Sequence, residues 1–373
     1  MAGLRILHFL SGLEVGGKER QVLQLCARAR RAGHAAELLL FDTPFRGTRL
    51  DFDPGELRVH FVQRGPGFDW RFARAVAALV RALAPDVLHA HNDTALFYAG
   101  LVGALLGRRR PATCGTLHTR PGHATRKGRL VTRLASRRLD AVTAVSRELA
   151  QVCLQDGWVA RCDVLWNGVE LEEFAPPASG PGAPEAAWRA RLEVPADCFL
   201  VGHVGRFDPV KRQRDLLAAT RLAAREVPLA TVFVGQGPGR ASFLAELRAG
   251  DPVRTVERVE DVPGFLRALD AFALCSAHEA APRVLLEALA SGLPVVATAV
   301  GGIPEIALEP GREPAALLVP TAEPERLAAA LVSLARSSER RRALGRRARE
   351  RVQAFSAERE WERYAALYAA ITA

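Results

Sequence analysis

Glu279 and Glu287 stand with seven residues between them in Ser276-Ala-His-Glu279-Ala-Ala-Pro282-Arg-Val-Leu-Leu-Glu287-Ala-Leu-Ala-Ser-Gly292-Leu-Pro294. A strand is expected to stop near Cys275. Pro282 suits the first turn of a helix, and Gly292 suits its C-terminal cap. Glu279 then sits just ahead of the helix and Glu287 on its second or third turn. The leading backbone N–H groups, near Arg283, Val284 and Leu285, lack intrahelical acceptors and favour an anion placed before them. One acid could accept hydrogen bonds from sugar hydroxyls and the other from ribose hydroxyls. On spacing alone, two solvated acids on an ordinary strand–helix–strand unit are the better reading.

The elements that must position these residues alternate along the chain. Leu4 to Leu10 is a short apolar run that reads as a buried parallel strand. Lys18 to Ala32 has helical spacing of apolar residues and ends at Gly33-His34. Ala36 to Phe41 and Val87 to Ala90 read as strands, and Phe72 to Leu83 as a helix stopped by Ala84-Pro85. Residues 175–187, rich in Pro, Gly and Ala, read as a surface excursion. The pattern restarts with a strand over Phe199 to Val204, a helix from about Gln213, and strands at Thr231 to Val234, Ala271 to Leu274 and Pro294 to Ala297. The expected fold is α/β, with two doubly wound, Rossmann-like domains. Ligands of such sheets bind outside the carboxyl ends of the strands, so the cleft between the domains is the default site. The first domain is expected over residues 1–170 and the second over 171–356. An amphipathic segment carrying Trp361, Tyr364, Leu367 and Tyr368 follows.

The chain has 373 residues, too many for one ordinary core, and a formal net charge of +10. Ten Lys or Arg and no acid lie between Arg108 and Arg138, which suits a polyanionic partner such as an anionic membrane surface or a phosphate-bearing acceptor. A soluble face that is merely basic fits equally well. A second basic run, Arg340 to Arg351, reads as a solvated helix face. The six cysteines form no C-x-x-C pair, and buried thiols in a reducing compartment are expected. No signal peptide or membrane span is read from the sequence, so a soluble, cytoplasmic protein is expected.

The glutamate segment resembles the E-x7-E signature of family 4 retaining glycosyltransferases. The resemblance includes the run from Glu287 to Ala297 and Gly301-Gly302-Ile303-Pro304-Glu305. Further similarities follow in order: Gly12-Leu-Glu-Val-Gly16-Gly17-Lys-Glu19-Arg20, Gly115-Thr-Leu-His118, Val142-Thr-Ala-Val-Ser146, Asn167-Gly168-Val169, Val204-Gly205-Arg206-Phe-Asp-Pro-Val-Lys211 and Gly235-Gln-Gly237-Pro238. The resemblance implies the GT-B fold, with residues 357–373 packing back on an acceptor-binding first domain. The second domain would bind the nucleotide-sugar. Arg206 and Lys211 would neutralise the donor diphosphate. Gly16 and Gly17 would let backbone approach phosphate, and Glu279, Arg283, Val284, Leu285 and Glu287 would complete the donor site. His118 would contact the transferred sugar. His91 and Asn92 read as acceptor-side or structural residues. A metal at His89 and His91 is conceivable, but the resemblance implies no metal or cofactor. His123 has no assigned role. Two departures stand out: Glu279-Ala280-Ala281-Pro282 replaces a Gly-rich pattern, and Arg212 stands where Gly is common.

The implied reaction transfers a sugar from a nucleoside-diphosphate sugar, UDP- or GDP-linked, to an acceptor hydroxyl with net retention. The implied setting is bacterial synthesis of cell-surface polysaccharide, lipopolysaccharide or glycolipid. No nucleophile for double displacement stands out, so front-face attack is favoured, with the departing phosphate taking the acceptor proton. The alternatives are a non-catalytic sugar-nucleotide-binding protein and, on charge alone, a nucleic-acid-binding protein. The latter lacks any recognisable binding module.

Overall fold

The computed structural model describes residues 3–13, 16–42, 54–121, 126–176 and 184–373. His123, Glu14 and Val15 of the glycine-rich segment, and part of the basic run lie outside the described residues. The chain divides into two units, Met1–Gly168 with Ala357–Ala373, and Val169–Ser356.

In the first unit, strands β1 (Arg5–Leu10), β2 (Ala35–Leu40), β3 (Val59–Phe61), β4 (Val87–His91), β5 (Ala112–Leu117), β6 (Ala141–Ala144) and β7 (Asp163–Val164) form one parallel sheet. Their spatial order is β3-β2-β1-β4-β5-β6-β7. In the second unit, β8 (Phe199–Val204), β9 (Leu229–Val234), β10 (Val253–Val256), β11 (Ala271–Leu274), β12 (Val295–Thr298) and β13 (Leu317–Val319) form another parallel sheet. Their order is β10-β9-β8-β11-β12-β13. In both sheets the strand order reverses beside the first strand, which is the doubly wound arrangement. The central strands are buried except at some of their ends, because helices cover both faces; every residue of β4, β9 and β11 is buried.

Local chemistry sets the helix ends. Asp69 caps the helix Trp70–Leu83 by accepting from the Phe72 N–H at 3.0 Å. Ala84 takes a left-handed conformation before Pro85 and ends it. The C-terminal helix Ala357–Thr372 belongs to the first unit, where Tyr364 and Tyr368 share a core with Ile6, Leu25, Leu38 and Val87. Glu360 on that helix accepts hydrogen bonds from Gln21 and Gln24.

Two segments differ from expectation. From Pro184 the excursion becomes a helix, Pro184–Arg191, because Trp188 has a partner to bury against, Phe265 at 5.4 Å between ring centroids. The basic run of the helix Ser338–Val352 is not merely a solvated face. Arg349 donates to the Ala290 carbonyl at 2.6 Å, Arg351 to those of Glu305 and Ile306, and Arg341 to those of Leu334 and Ala335. Each acceptor lies in the last turn of a helix, where carbonyls lack intrahelical donors and cations are favoured. The same helix lies against the loop after Ala290. A Cβ added at Gly345 would stand 2.3 Å from the Gly292 carbonyl oxygen. Gly345→Ala is therefore expected to lower unfolding free energy by about 1–3 kcal/mol, the usual cost of overpacking. Urea denaturation checks this; unchanged stability would show that the two backbones can separate freely.

Candidate functional site

In the second unit the candidate residues gather where β8 and β11 end. After β8, Arg206 is exposed and makes no ion pair among the described residues. A 3-10 turn, Pro209–Lys211, follows, started by the Asp208 carboxylate accepting from the Val210 N–H at 3.1 Å. Lys211 reaches across to the loop after β11, where its Nζ lies 2.6 Å from Glu279 Oε1. Ser276 Oγ donates to the same carboxylate oxygen at 2.6 Å. Glu279 is buried, and Lys211 is partly exposed. A buried carboxylate needs such partners to stay charged.

The backbone fixes this cluster. The Ala277 N–H donates to the Val210 carbonyl at 2.7 Å, which ties the two loops together. Cys275 Sγ donates to the Lys211 and Arg212 carbonyls, and burial pushes its thiol up to about 12. Behind Glu279, the Gly302 N–H donates to the Glu279 carbonyl at 2.9 Å. Gly301 has a positive φ, and a Cβ there would stand 1.8 Å from that carbonyl oxygen. The Gly301-Gly302 pair is thus what lets the chain support Glu279 from below. Gly235 and Gly237 do the same beside Gly205 and Phe207.

The helix that follows spans Arg283–Ala290, with Pro282 as its N-cap residue. Leu285 N–H bonds the Pro282 carbonyl at 3.1 Å, so this amide already has an acceptor. Glu287 lies one turn in, buried, with Arg283 Nη2 3.9 Å from its Oε1. Arg212, the cation where Gly is common, has a left-handed backbone and pairs with Asp215. Its guanidinium therefore serves the start of the next helix.

In the first unit, sheet register collects four histidines. His8 on β1 is paired with His89 on β4, and His91 with Thr116 on β5. Residues two apart on a strand share a face, so His8, His89, His91 and Thr116 gather on one side, with His118 just beyond β5. His91 Nε2 lies 3.0 Å from His8 Nδ1, and His91 Nδ1 lies 3.0 Å from His118 Nε2. His89 Nδ1 lies 2.8 Å from the Tyr368 hydroxyl, and its Nε2 lies 2.8 Å from Thr116 Oγ1. Asn92 has a positive φ, and its Oδ1 accepts from the His118 N–H at 3.1 Å. Burial holds all four imidazoles far below their ordinary range, His8 and His118 to about 3. The Lys18 charge pushes His118 further the same way. Gly16 and Gly17 open the helix Gly17–Arg31, where Lys18 pairs with Glu19 at 2.9 Å.

One nitrogen from each of His8, His89 and His91 lies within 4.8 Å of the others, close enough for a shared metal. Both nitrogens of His89 and both of His91 are engaged in hydrogen bonds, which makes a neutral hydrogen-bonded cluster the better description. His91 is buried with no ring nitrogen left for an acceptor. Sequence reasoning did not single out Ser276 or His8. The only signal for Ser276 was its place three residues before Glu279; His8 looked like one polar residue in an apolar strand.

The description "Glycosyltransferase Family 4" matches residues 15–173, and "Glycosyl transferases group 1" matches residues 198–337. The chain is similar to the GDP-mannose-dependent alpha-mannosyltransferase of Mycobacterium tuberculosis, 30% identical over 81% of this chain and 80% of that protein. It is likewise similar to the D-inositol 3-phosphate glycosyltransferase of Xylanimonas cellulosilytica, 30% identical over 77% of this chain and 76% of that protein. Among solved structures, Anabaena Alr3699/HepE in complex with UDP matches with a TM-score of 0.83 at 23% identity, covering 98% of this chain and 100% of that one. Sucrose-phosphate synthase from Thermosynechococcus elongatus matches with a TM-score of 0.76 at 24% identity, covering 98% of each chain. These two likenesses carry the fold. The two matched descriptions, the two relatives and the paired doubly wound sheets agree: the chain belongs to glycosyltransferase family 4, the glycosyl transferases of group 1, and has the GT-B fold.

Proposed function

We propose that this chain transfers a sugar from a UDP- or GDP-sugar to an acceptor hydroxyl with net retention, without a metal. The observation that carries this reading is the Lys211–Glu279–Ser276 cluster at the ends of β8 and β11, beside the helix that bears Glu287. Lys211 and the exposed Arg206 supply positive charge for a diphosphate. Glu279 accepts from the sugar hydroxyls, and Glu287 from the ribose. The Arg283 and Val284 amides, at the start of the helix, face the phosphates, as helix N-termini favour.

Within this reading Lys211 changes partner. In the free protein Glu279 neutralises it; a bound diphosphate offers a doubly charged alternative and leaves Glu279 free to accept from sugar. Charge on the departing diphosphate grows as the glycosidic bond breaks, and preorganised cations stabilise that charge without reorganising. The departing phosphate oxygen takes the acceptor proton, so the protein's work is positioning and electrostatics. In the first unit His118 faces the transferred sugar, and Asn92 fixes the His118 backbone. The fitting setting is synthesis of cell-surface polysaccharide, lipopolysaccharide or glycolipid.

A thermal-shift screen against UDP, GDP and ADP tests the donor assignment, since a ligand that binds only the native state raises Tm. One of the first two is expected to raise Tm clearly. Glu287→Ala is expected to weaken that nucleotide by roughly tenfold, the loss of about one charge-assisted hydrogen bond. Unchanged affinity would remove Glu287 from the ribose.

The acceptor side is proposed to meet an anionic membrane surface. No helix among the described residues is long and apolar enough to cross a membrane. The helix Arg126–Ser136 is basic, yet Leu130 and Leu134 on it are 57% and 50% exposed. An exposed apolar stripe flanked by cations suits the interface of an anionic bilayer. Arg110 and Arg120 of the same run are already paired, with Asp140 and Asp156. Co-sedimentation with anionic vesicles at low salt is expected, with loss in Leu130→Glu and in neutral vesicles. Equal binding by the variant would contradict the docking face.

A further inference from the structure

Three of the four histidines in the first unit form a line: His8 Nδ1 to His91 Nε2, and His91 Nδ1 to His118 Nε2, 3.0 Å at each step. Burial keeps each ring neutral, and a neutral imidazole carries one N–H and one bare nitrogen. The whole line must therefore point one way. In one direction His118 Nε2–H donates to His91, His91 Nε2–H donates to His8, and His8 is left with a proton on Nε2. That atom is buried and has no hydrogen-bond partner among the described residues. A buried N–H without an acceptor is among the rarest features of folded proteins. In the other direction His8 Nδ1–H donates to His91 and His91 Nδ1–H donates to His118. The end of the line is then only a bare acceptor nitrogen at His8, the lesser defect.

We infer that His8 and His91 are positioning residues that set the tautomer of His118, committing its Nε2 lone pair to His91 and leaving its proton on Nδ1. His89 takes no part, since Tyr368 and Thr116 hold its two nitrogens. The Asn92 amide oxygen fixes the backbone N–H of His118 and so the origin of its side chain. The chemical consequence deepens the proposed function and rests on it: His118 is a neutral hydrogen-bond donor. It presents Nδ1–H to an oxygen lone pair, such as a sugar hydroxyl or ring oxygen. Its basic nitrogen is occupied, so it does not take the acceptor proton.

Long-range proton–nitrogen correlation spectra of the ¹⁵N-labelled full-length protein at neutral pH test this directly, with His118 assigned by its loss in His118→Gln. The expected spectrum shows His118 with a protonated Nδ1 and a bare Nε2. His8→Asn, whose amide N–H can replace the Nδ1–H donor, is expected to keep that pattern. His8→Asp offers His91 Nε2 an acceptor in place of a donor and is expected to move the His118 proton to Nε2. It should also lower kcat by at least about tenfold, since a wrong tautomer at a catalytic histidine costs orders of magnitude. A wild-type His118 protonated on Nε2, or on both nitrogens, overturns the inference, and so does a folded His8→Asp protein with an unchanged His118 pattern. The spectrum reads the tautomer whether or not sugar transfer is found, so failure of this inference and failure of the proposed function are separable.

Discussion

Lys211→Ala lowers kcat/KM for sugar transfer by roughly two orders of magnitude, the effect of removing one charge-stabilising donor from a developing anion. The size follows from where the ammonium sits. Its Nζ is 2.6 Å from Glu279, at the end of β8, in a turn held by Asp208 and by the Val210–Ala277 hydrogen bond. It is therefore aimed before substrate arrives. The substitution also strips Glu279 of its cation, leaving Ser276 as the donor to Oε1. Glu279 is buried, so removing its cation leaves the carboxylate under-partnered and is expected to cost about 1–3 kcal/mol of stability. Activity is therefore compared well below the variant's Tm, where both proteins are folded. Lys211→Arg keeps the charge but not the point geometry and is expected to fall in between. Wild-type turnover by a folded Lys211→Ala protein would remove the role.

Acid is expected to unfold the first unit while most carboxylates are still charged. His8, His89, His91 and His118 are buried and neutral, with folded pKa values well below the ordinary 6.5, near 3 for His8 and His118. Above pH 6.5 neither the folded nor the unfolded chain protonates them, and their burial carries no pH-dependent penalty. Below it, the unfolded chain binds protons that the folded chain refuses. Stability then falls by up to about 1.4 kcal/mol per pH unit for each histidine, until the folded value is reached. Four such groups make the slope steep between pH 6.5 and 5. The lowered carboxylates Asp69, Asp140 and Asp251 act at lower pH, because their stabilisation is lost only below their unfolded values. Urea midpoints measured across this window should drop sharply, and His8→Asn should flatten the slope by about one group's share. A midpoint independent of pH from 6.5 to 5 would mean that the cluster accepts protons while folded.

Much of the frame was legible in the chain. β1, β8 and β11 are short apolar runs because both faces of a parallel sheet are covered, and their ends fell within a residue or two of expectation. Glu279 and Glu287 could be placed relative to a helix from Pro282 and Gly292 alone. Their partners could not. Lys211 and Glu279 are 68 residues apart, and only the packing of two strand ends brings them together. The arginines of Ser338–Val352 looked solvated because charge is usually exposed; their carbonyl acceptors belong to helices that sequence spacing does not place beside them. His8 was silent for the same reason, since the register that sets it against His91 is a property of the sheet.

Lys211, Glu279 and Glu287 are proposed to hold one nucleoside-diphosphate sugar. A crystal structure of the protein with UDP or GDP is the direct check. A diphosphate is expected within hydrogen-bond distance of Lys211 Nζ, with a ribose hydroxyl on Glu287. A nucleotide bound away from these side chains, with the Lys211–Glu279 pair intact, would contradict this proposal.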